Sequence, residues 1–283
     1  MDIEGIEDEH FLSAQNDFMF KRIFGNTDTQ LPLCSLLSAV LDVRVVSASV
    51  QNPIFPRQID TDKESVLDIR AILDNGSHVN VEMQVYYRDH FMKRTQYYLS
   101  KLYHSQIGKG GVYDDLKRAI VINILCEGRT KFPAEYWHNV YVFKEKRRND
   151  QMPDGMMELH FIELEKLRKS SHLDEANTLT LWGMFMNAQS TSEMKIIAKR
   201  DPAICKAYTI VEEVARNKEE RERYHAREAF LRDQISNEEA ARKKGVVEGR
   251  AEGRVEAARK MVAAGMDPVE VCNAIGISVS DLD

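Results

Sequence analysis

The sequence predicts a mixed α/β fold followed by an all-helical C-terminal extension, and three stretches carry that reading. Residues 65–87 read as two strands joined at Asp74-Asn75-Gly76, a short-range hairpin signal. Ala119-Ile120-Val121-Ile122-Asn123-Ile124-Leu125 is a near-continuous apolar run, as expected of a central strand covered on both faces. Beyond about residue 172 the strand signals stop. Residues 173–232 read as helical, and residues 212–260 carry both charge signs in near balance, the pattern of a solvated helix paired one turn apart.

From the N-terminus, Asn16 or Asp17 can cap a short helix whose apolar residues are Phe20, Ile23 and Phe24, with Gly25 as its stop. Leu33, Leu36, Leu37, Val40 and Leu41 give residues 31–41 a helical period. Val43–Val50 is expected as a strand and residues 52–62 as a loop, and the hairpin follows. Residues 89–106 form the next predicted helix, with Phe91, Tyr98, Leu102 and Ser105 near one face. Arg94, Tyr98 and Lys101 follow at i, i+4 and i+7 and so lie together. A loop containing Lys109-Gly110-Gly111 leads to the central strand, and Tyr141–Phe143 and Leu159–Leu164 are expected as further strands. Helix, strand, hairpin, helix and three strands is the order of a mixed sheet.

This organisation predicts a core over residues 1–170, a helical subdomain over 171–232 and a tail over 233–283. In the tail Gly245, Gly249, Gly253 and Ala257 recur every four residues. Glycine is costly inside a helix, so a repeated small stripe points to close approach of another backbone and to a homo-oligomer formed through the C-terminal helices. Residues 264–278 resemble a small helix-turn-helix, with a glycine stop, Pro268 at a helix start and Gly276 in the second turn.

The apolar face fixes the register of the hairpin. With a three-residue loop and Gly76 in the left-handed position of a G1 bulge, Leu73 opposes Ser77. Ala71 then opposes Val79, Ile69 opposes Val81 and Leu67 opposes Met83, which makes one face wholly apolar. Asp68 falls opposite Glu82, and Val66 opposite Gln84. A two-residue loop would split the apolar set between faces, which the period of two forbids in a half-buried sheet. Carboxylates directly opposite one another repel. A bound cation compensates, and oxygen ligands favour Mg²⁺ or Mn²⁺. Asp68 and Glu82 are therefore candidate metal ligands, with the Met83 backbone carbonyl a further one. Gln84 points the same way as Glu82; its neutral amide can hold a water or a scissile oxygen but is neither a cation nor a base.

Whole-chain properties set the bounds. A chain of 283 residues can hold one sizeable domain plus an appendage. The net charge of −6 gives no overall nucleic-acid signal, so any basic surface is local. The best candidate runs from Arg88 to Arg118, where Tyr97, Tyr98, Tyr103 and Tyr113 are interleaved with Lys and Arg. Cys34, Cys126, Cys205 and Cys272 are scattered singly, without zinc or redox spacing, and read as reduced cysteines of a cytoplasmic protein. The acidic first nine residues do not read as a signal peptide, and no apolar run is long enough to span a bilayer.

Five ordered blocks go further. Asn16-Asp17-Phe18-Met19-Phe20-Lys21, Leu67-Asp68-Ile69-Arg70, Val81-Glu82-Met83-Gln84, Lys93-Arg94-Thr95-Gln96-Tyr97-Tyr98 and Lys109-Gly110-Gly111-Val112-Tyr113 resemble the recombination-promoting nuclease family of the PD-(D/E)xK superfamily, whose members also carry the label transposase. The resemblance covers about residues 10–165. It implies a restriction-endonuclease-like core of αβββαβ order and a Mg²⁺-dependent DNA endonuclease linked to recombination, mobile elements or phage defence. Asp68 and Glu82 match the metal ligands, and Gln84 stands where the superfamily has its lysine. Asp17, also readable as a helix cap, is a candidate further acid. The positive charge that Gln84 lacks is sought on Lys93, Arg94, Lys101 or Lys109. Arg94, Tyr98, Lys101 and Lys109 are expected to contact DNA. The rival reading is a non-catalytic assembly or regulatory protein built on a nuclease-like scaffold. Strand transfer of the DDE type, suggested by the family's transposase label, needs three acids spread over a longer stretch of chain, and no such set can be assigned in this sequence.

Overall fold

The computed structural model describes residues 11–51, 54–55, 65–66, 68–86, 90–127, 132–133, 135–170 and 173–282. The chain divides into two compact units, Met1–His225 and Ala226–Asp283.

The first unit opens with α1 (Asp17–Phe24), whose N-cap is Asn16, accepting from the Phe18 N–H, and whose end is closed by Gly25. After α2 (Leu31–Leu41) come β1 (Ala48–Gln51), β2 (Ile54–Phe55), β3 (Ser65–Val66), β4 (Ile69–Leu73), β5 (His78–Tyr86), α3 (Phe91–His104), β6 (Ala119–Glu127), β7 (His138–Val142) and β8 (Met157–Glu163). Six of these strands form one mixed sheet in the order β1-β4-β5-β6-β8-β7. β5, β6 and β8 run parallel, and the other pairings are antiparallel. Leading helices, three antiparallel strands, α3 and a parallel strand give the αβββαβ succession.

The hairpin has the expected register: Ile69 opposes Val81 and Ala71 opposes Val79. The Gly76 N–H donates to the Leu73 carbonyl at 2.9 Å, and Gly76 has φ of 81°, a conformation that favours glycine. The first strand is shorter than expected. β4 starts at Ile69, Asp68 lies in a bend, and Ser65–Val66 pairs with Ile54–Phe55 in a separate two-stranded ribbon. The expected pair of Val66 with Gln84 therefore does not form, and that of Leu67 with Met83 lies outside the described residues. The physical reason is a tertiary contact: the Asp68 carboxylate takes the Met83 N–H at 2.9 Å, where a further ladder bond would be. Within the loop expected over residues 52–62, Ile54–Phe55 forms a strand of that ribbon; the other residues of that span lie outside the described ones. The strand expected from Val43 is confined to Ala48–Gln51, because side chains hold the approach to it. Val45 N–H donates to Ser38 Oγ at 2.9 Å and Val46 N–H to Asp74 Oδ1 at 3.1 Å.

The chain continues through α4 (Leu164–Lys169), α5 (Thr178–Asn187), α6 (Thr191–Ala198) and α7 (Pro202–Arg216). One core holds Phe20 and Phe24 of α1, Trp182 and Phe185 of α5, and Ile69, Ala71, Val79, Val81, Ile120 and Ile122 of the sheet. On the other face α3 lays Leu99 and Leu102 against Ala119 and Val121, and Phe91 packs with Leu125 and Phe161. The sheet is thus covered on both faces, as the apolar run of β6 requires.

Helix α8 spans Lys218–Ala263 and carries ion pairs one turn apart, such as Lys260 with Glu256 at 2.6 Å. In the second unit α9 (Pro268–Ile275) is capped by Asp267 and stopped by Gly276, with φ of 73°. The stretch after Gly276 is a single 3₁₀ turn, Val279–Leu282, rather than a second α-helix. Among the described residues no helix is long and apolar enough to cross a membrane. The four cysteines are free, and Cys34, Cys126 and Cys272 are buried.

Candidate active site

Alternation along β5 sorts its residues. Val79, Val81 and Met83 belong to the core shared with α1 and α5, so Asn80, Glu82 and Gln84 lie on the opposite face, the one that α3 covers. Glu82 is 8% exposed. Its Oε1 accepts the Asn80 Nδ2–H at 3.0 Å. Burial and, next, the charge of Asp68 push the Glu82 carboxyl up to about 7, against the opposing hydrogen bond from Asn80 and the charge of Arg94. Asp68, in the bend before β4, is fastened to the same strand through the Met83 N–H. The two N–H···O bonds of an antiparallel pair leave a residue on one side, so the Met83 carbonyl faces the same edge as its N–H, toward Asp68. The carboxylates therefore share one end of the hairpin and feel one another's charge.

Helix α3 closes over this end. The Arg94 guanidinium donates to Gln84 Oε1 and lies 5.5 Å from the Phe91 ring centroid and 5.9 Å from that of Tyr98. The Tyr98 hydroxyl is pushed above its ordinary range by burial and then by the charge of Glu82, with Arg94 opposing. A buried clamp sets the helix in place. Thr95 Oγ1 donates to Asn123 Oδ1 at 3.0 Å, and Asn123 Nδ2 donates to the His160 carbonyl at 3.1 Å. Asn123 is the β6 residue opposite Glu82.

The other expected residues are arranged as follows. Lys101 Nζ lies 5.9 Å from the Tyr97 ring centroid. Lys93 is exposed, and Lys109 is exposed in the turn after α3. The helix carries the chain about 15 Å from Arg94 to His104, so the structure does not gather Lys109 with the acids. Asp17 is the first residue of α1, after the cap. Lys21, one turn on in α1, reaches the acids: its Nζ lies 3.0 Å from Asp68 Oδ1.

Sequence reasoning missed Lys21, Asn80, Thr95 and Asn123 as parts of this site. Asn80 and Asn123 had a signal, since each is an amide set among apolar strand residues. Lys21 closes the first of the five blocks, but its contact is tertiary and no local spacing marks it.

Among the described residues no group of three or more His, Cys, Asp or Glu side chains is arranged to hold a metal ion. A carboxylate pair with a nearby main-chain carbonyl still fits Mg²⁺, which is commonly held by one or two carboxylates, with water and phosphate completing its shell. Neither a curated protein nor a solved structure matches the chain. A family model described as PD-(D/E)XK nuclease family transposase matches residues 14–241. That match spans most of the chain and takes in the acid pair, Gln84, Lys21 and α3, and the chain belongs to the PD-(D/E)XK nuclease family transposases.

Proposed function

We propose that the chain is a DNA endonuclease dependent on Mg²⁺ or Mn²⁺, with Asp68 and Glu82 as the metal ligands. Family membership supports nuclease chemistry with divalent ions. The observation that carries the specific reading is the acid pair: Asp68 is tied to the main chain of the strand bearing Glu82, and its charge helps raise the buried Glu82 carboxyl. Two like charges held together in a partly buried site are costly, and a divalent cation offsets that cost.

A bound ion would polarise a phosphoryl oxygen and lower the pKa of a water. The chain's own groups do the rest. Asn80 occupies one oxygen of Glu82 and orients the carboxyl. Arg94 donates to the Gln84 oxygen and so helps orient the side-chain amide, a group whose nitrogen is of the donor type that suits water or a phosphate oxygen. Arg94, Tyr98 and Lys101 line α3 as contacts for the DNA backbone, and Lys109 extends that row toward flanking phosphates. The free cysteines are in keeping with a cytoplasmic setting.

The test is plasmid cleavage by purified protein in Mg²⁺. Asp68→Ala and Glu82→Ala are each expected to slow cleavage at least about 100-fold, the upper end of what removing mere supporting partners costs. Variants that cut as fast as the parent would remove the site assignment. A parent that binds neither Mn²⁺ nor Mg²⁺ by calorimetry yet forms stable oligomers would favour the non-catalytic reading.

We also infer that copies associate through α8. A Cβ on Gly245, Gly249 or Gly253 would meet nothing within 4 Å, which leaves room for another backbone along the stripe. Gly249→Leu is expected to lower the mass measured by light scattering, and an unchanged mass would contradict this.

A further inference from the structure

Every nuclease of this kind needs positive charge near the phosphate, and Gln84 cannot supply it. Of the cations near the acids, Arg94 is engaged by the Gln84 oxygen and lies against the rings of Phe91 and Tyr98. Lys101 lies about 10 Å further along α3 than Arg94. Lys21 is different. Among the described residues it is the lysine that forms an ion pair with Asp68, at 3.0 Å.

Both Asp68 oxygens are occupied: Oδ2 by the Met83 N–H and Oδ1 by Lys21. An ammonium and a divalent ion repel one another at Oδ1, so an ion taking that oxygen drives the amine off it. The two bonds differ in what they cost to break. The Met83 N–H is fixed in a strand. The Lys21 side chain is 43% exposed, on a flexible four-carbon stem. The helix beneath it is rigid, since the neighbouring Met19, Phe20, Ile23 and Phe24 are fully buried. The amine can therefore leave Oδ1 and remain beside the site.

We propose that Lys21 is the site's phosphate-facing cation: it holds Asp68 Oδ1 in the metal-free protein, yields that oxygen to the divalent ion, and then contacts the phosphate of the DNA. This rests on the nuclease reading above and places the charge missing from β5 on α1. No proton moves in the exchange, because the lysine stays an ammonium and only its partner changes.

Two measurements on Lys21→Met, with Lys21→Arg as a charge-retaining control, test it. Calorimetry with Mn²⁺ alone should show binding about two- to fivefold tighter in Lys21→Met, the equivalent of removing a partly exposed ion pair that competes for Asp68. Plasmid cleavage at saturating Mn²⁺ should fall about 100-fold in kcat, the scale of losing one positioned donor, with Lys21→Arg recovering part of it. A merely structural lysine would give the opposite pattern, with unchanged or weaker Mn²⁺ binding and near-parental kcat, and either result overturns the proposal. If the parent binds Mn²⁺ but cuts no DNA, the nuclease reading fails, and the calorimetric comparison still decides the exchange at Asp68. Thermal melts of both variants identify a folding defect, and Lys21→Gln then replaces Lys21→Met in both measurements.

Discussion

Asn80 and Glu82 show how one residue sets another's chemistry. Asn80 is fully buried and spends its amide on a single carboxyl oxygen. Asn80→Leu fills similar space without the donor, and Mn²⁺ affinity measured by calorimetry is expected to fall about 10- to 100-fold. The raised Glu82 carboxyl adds a pH signature. Metal binding must expel its proton, so Mn²⁺ affinity should climb as pH rises toward about 7 and level off above it. For the metal-free fold the sign is reversed. A carboxyl raised from 4.5 to about 7 binds its proton more tightly folded than unfolded, so its contribution is full below 4.5 and is lost as pH rises through 7. Glu82→Gln should accordingly melt higher than the parent at pH 8 without metal; an equal or lower melting temperature would mean that Glu82 is not strained by its surroundings. These acids were legible in the sequence because carboxylates are out of place in strands. Lys21 was not, because a helix and a strand far apart in the chain meet only in the folded core.

Among the elements, the hairpin was the most legible, since a period of two admits one register once a face is apolar. Its early break was not legible. Ser65 and Val66 have ordinary strand character, and only the tertiary capture of the Met83 N–H by Asp68 shows why the ladder stops. The seat of α3 was hidden in part, as it includes a buried hydrogen bond between Thr95 and Asn123 beside the apolar packing. Thr95→Val keeps the shape and removes the hydroxyl, leaving Asn123 Oδ1 without this donor. Urea unfolding is expected to show a loss of about 1–3 kcal/mol, together with weaker cleavage as Arg94 and Tyr98 lose their support. A neutral result would show that apolar packing alone holds α3.

For the whole molecule, the class of the sheet and its central strand could be read from composition runs, while the contacts that tune stability could not. His138 on the edge strand β7 illustrates this. Its ring stacks on His160, with Nε2 3.1 Å from His160 Nδ1. Burial, and then His160, press the His138 imidazole down to about 4. Unfolded, it would protonate near 6.5, so between those values the unfolded chain holds the extra proton and stability rises with pH. His138→Gln should lessen the loss of melting temperature as pH falls from 6.5 to 4, and an unchanged acid slope would contradict the burial of a neutral ring. The acid pair supports the functional reading most directly when it is seen with its ion. Crystals soaked in Mn²⁺ and measured at its absorption edge should give an anomalous peak about 2–2.5 Å from oxygens of both Asp68 and Glu82, absent in Asp68→Ala. A peak elsewhere, or none at this pair under saturating Mn²⁺, would contradict the assignment of Asp68 and Glu82 as metal ligands.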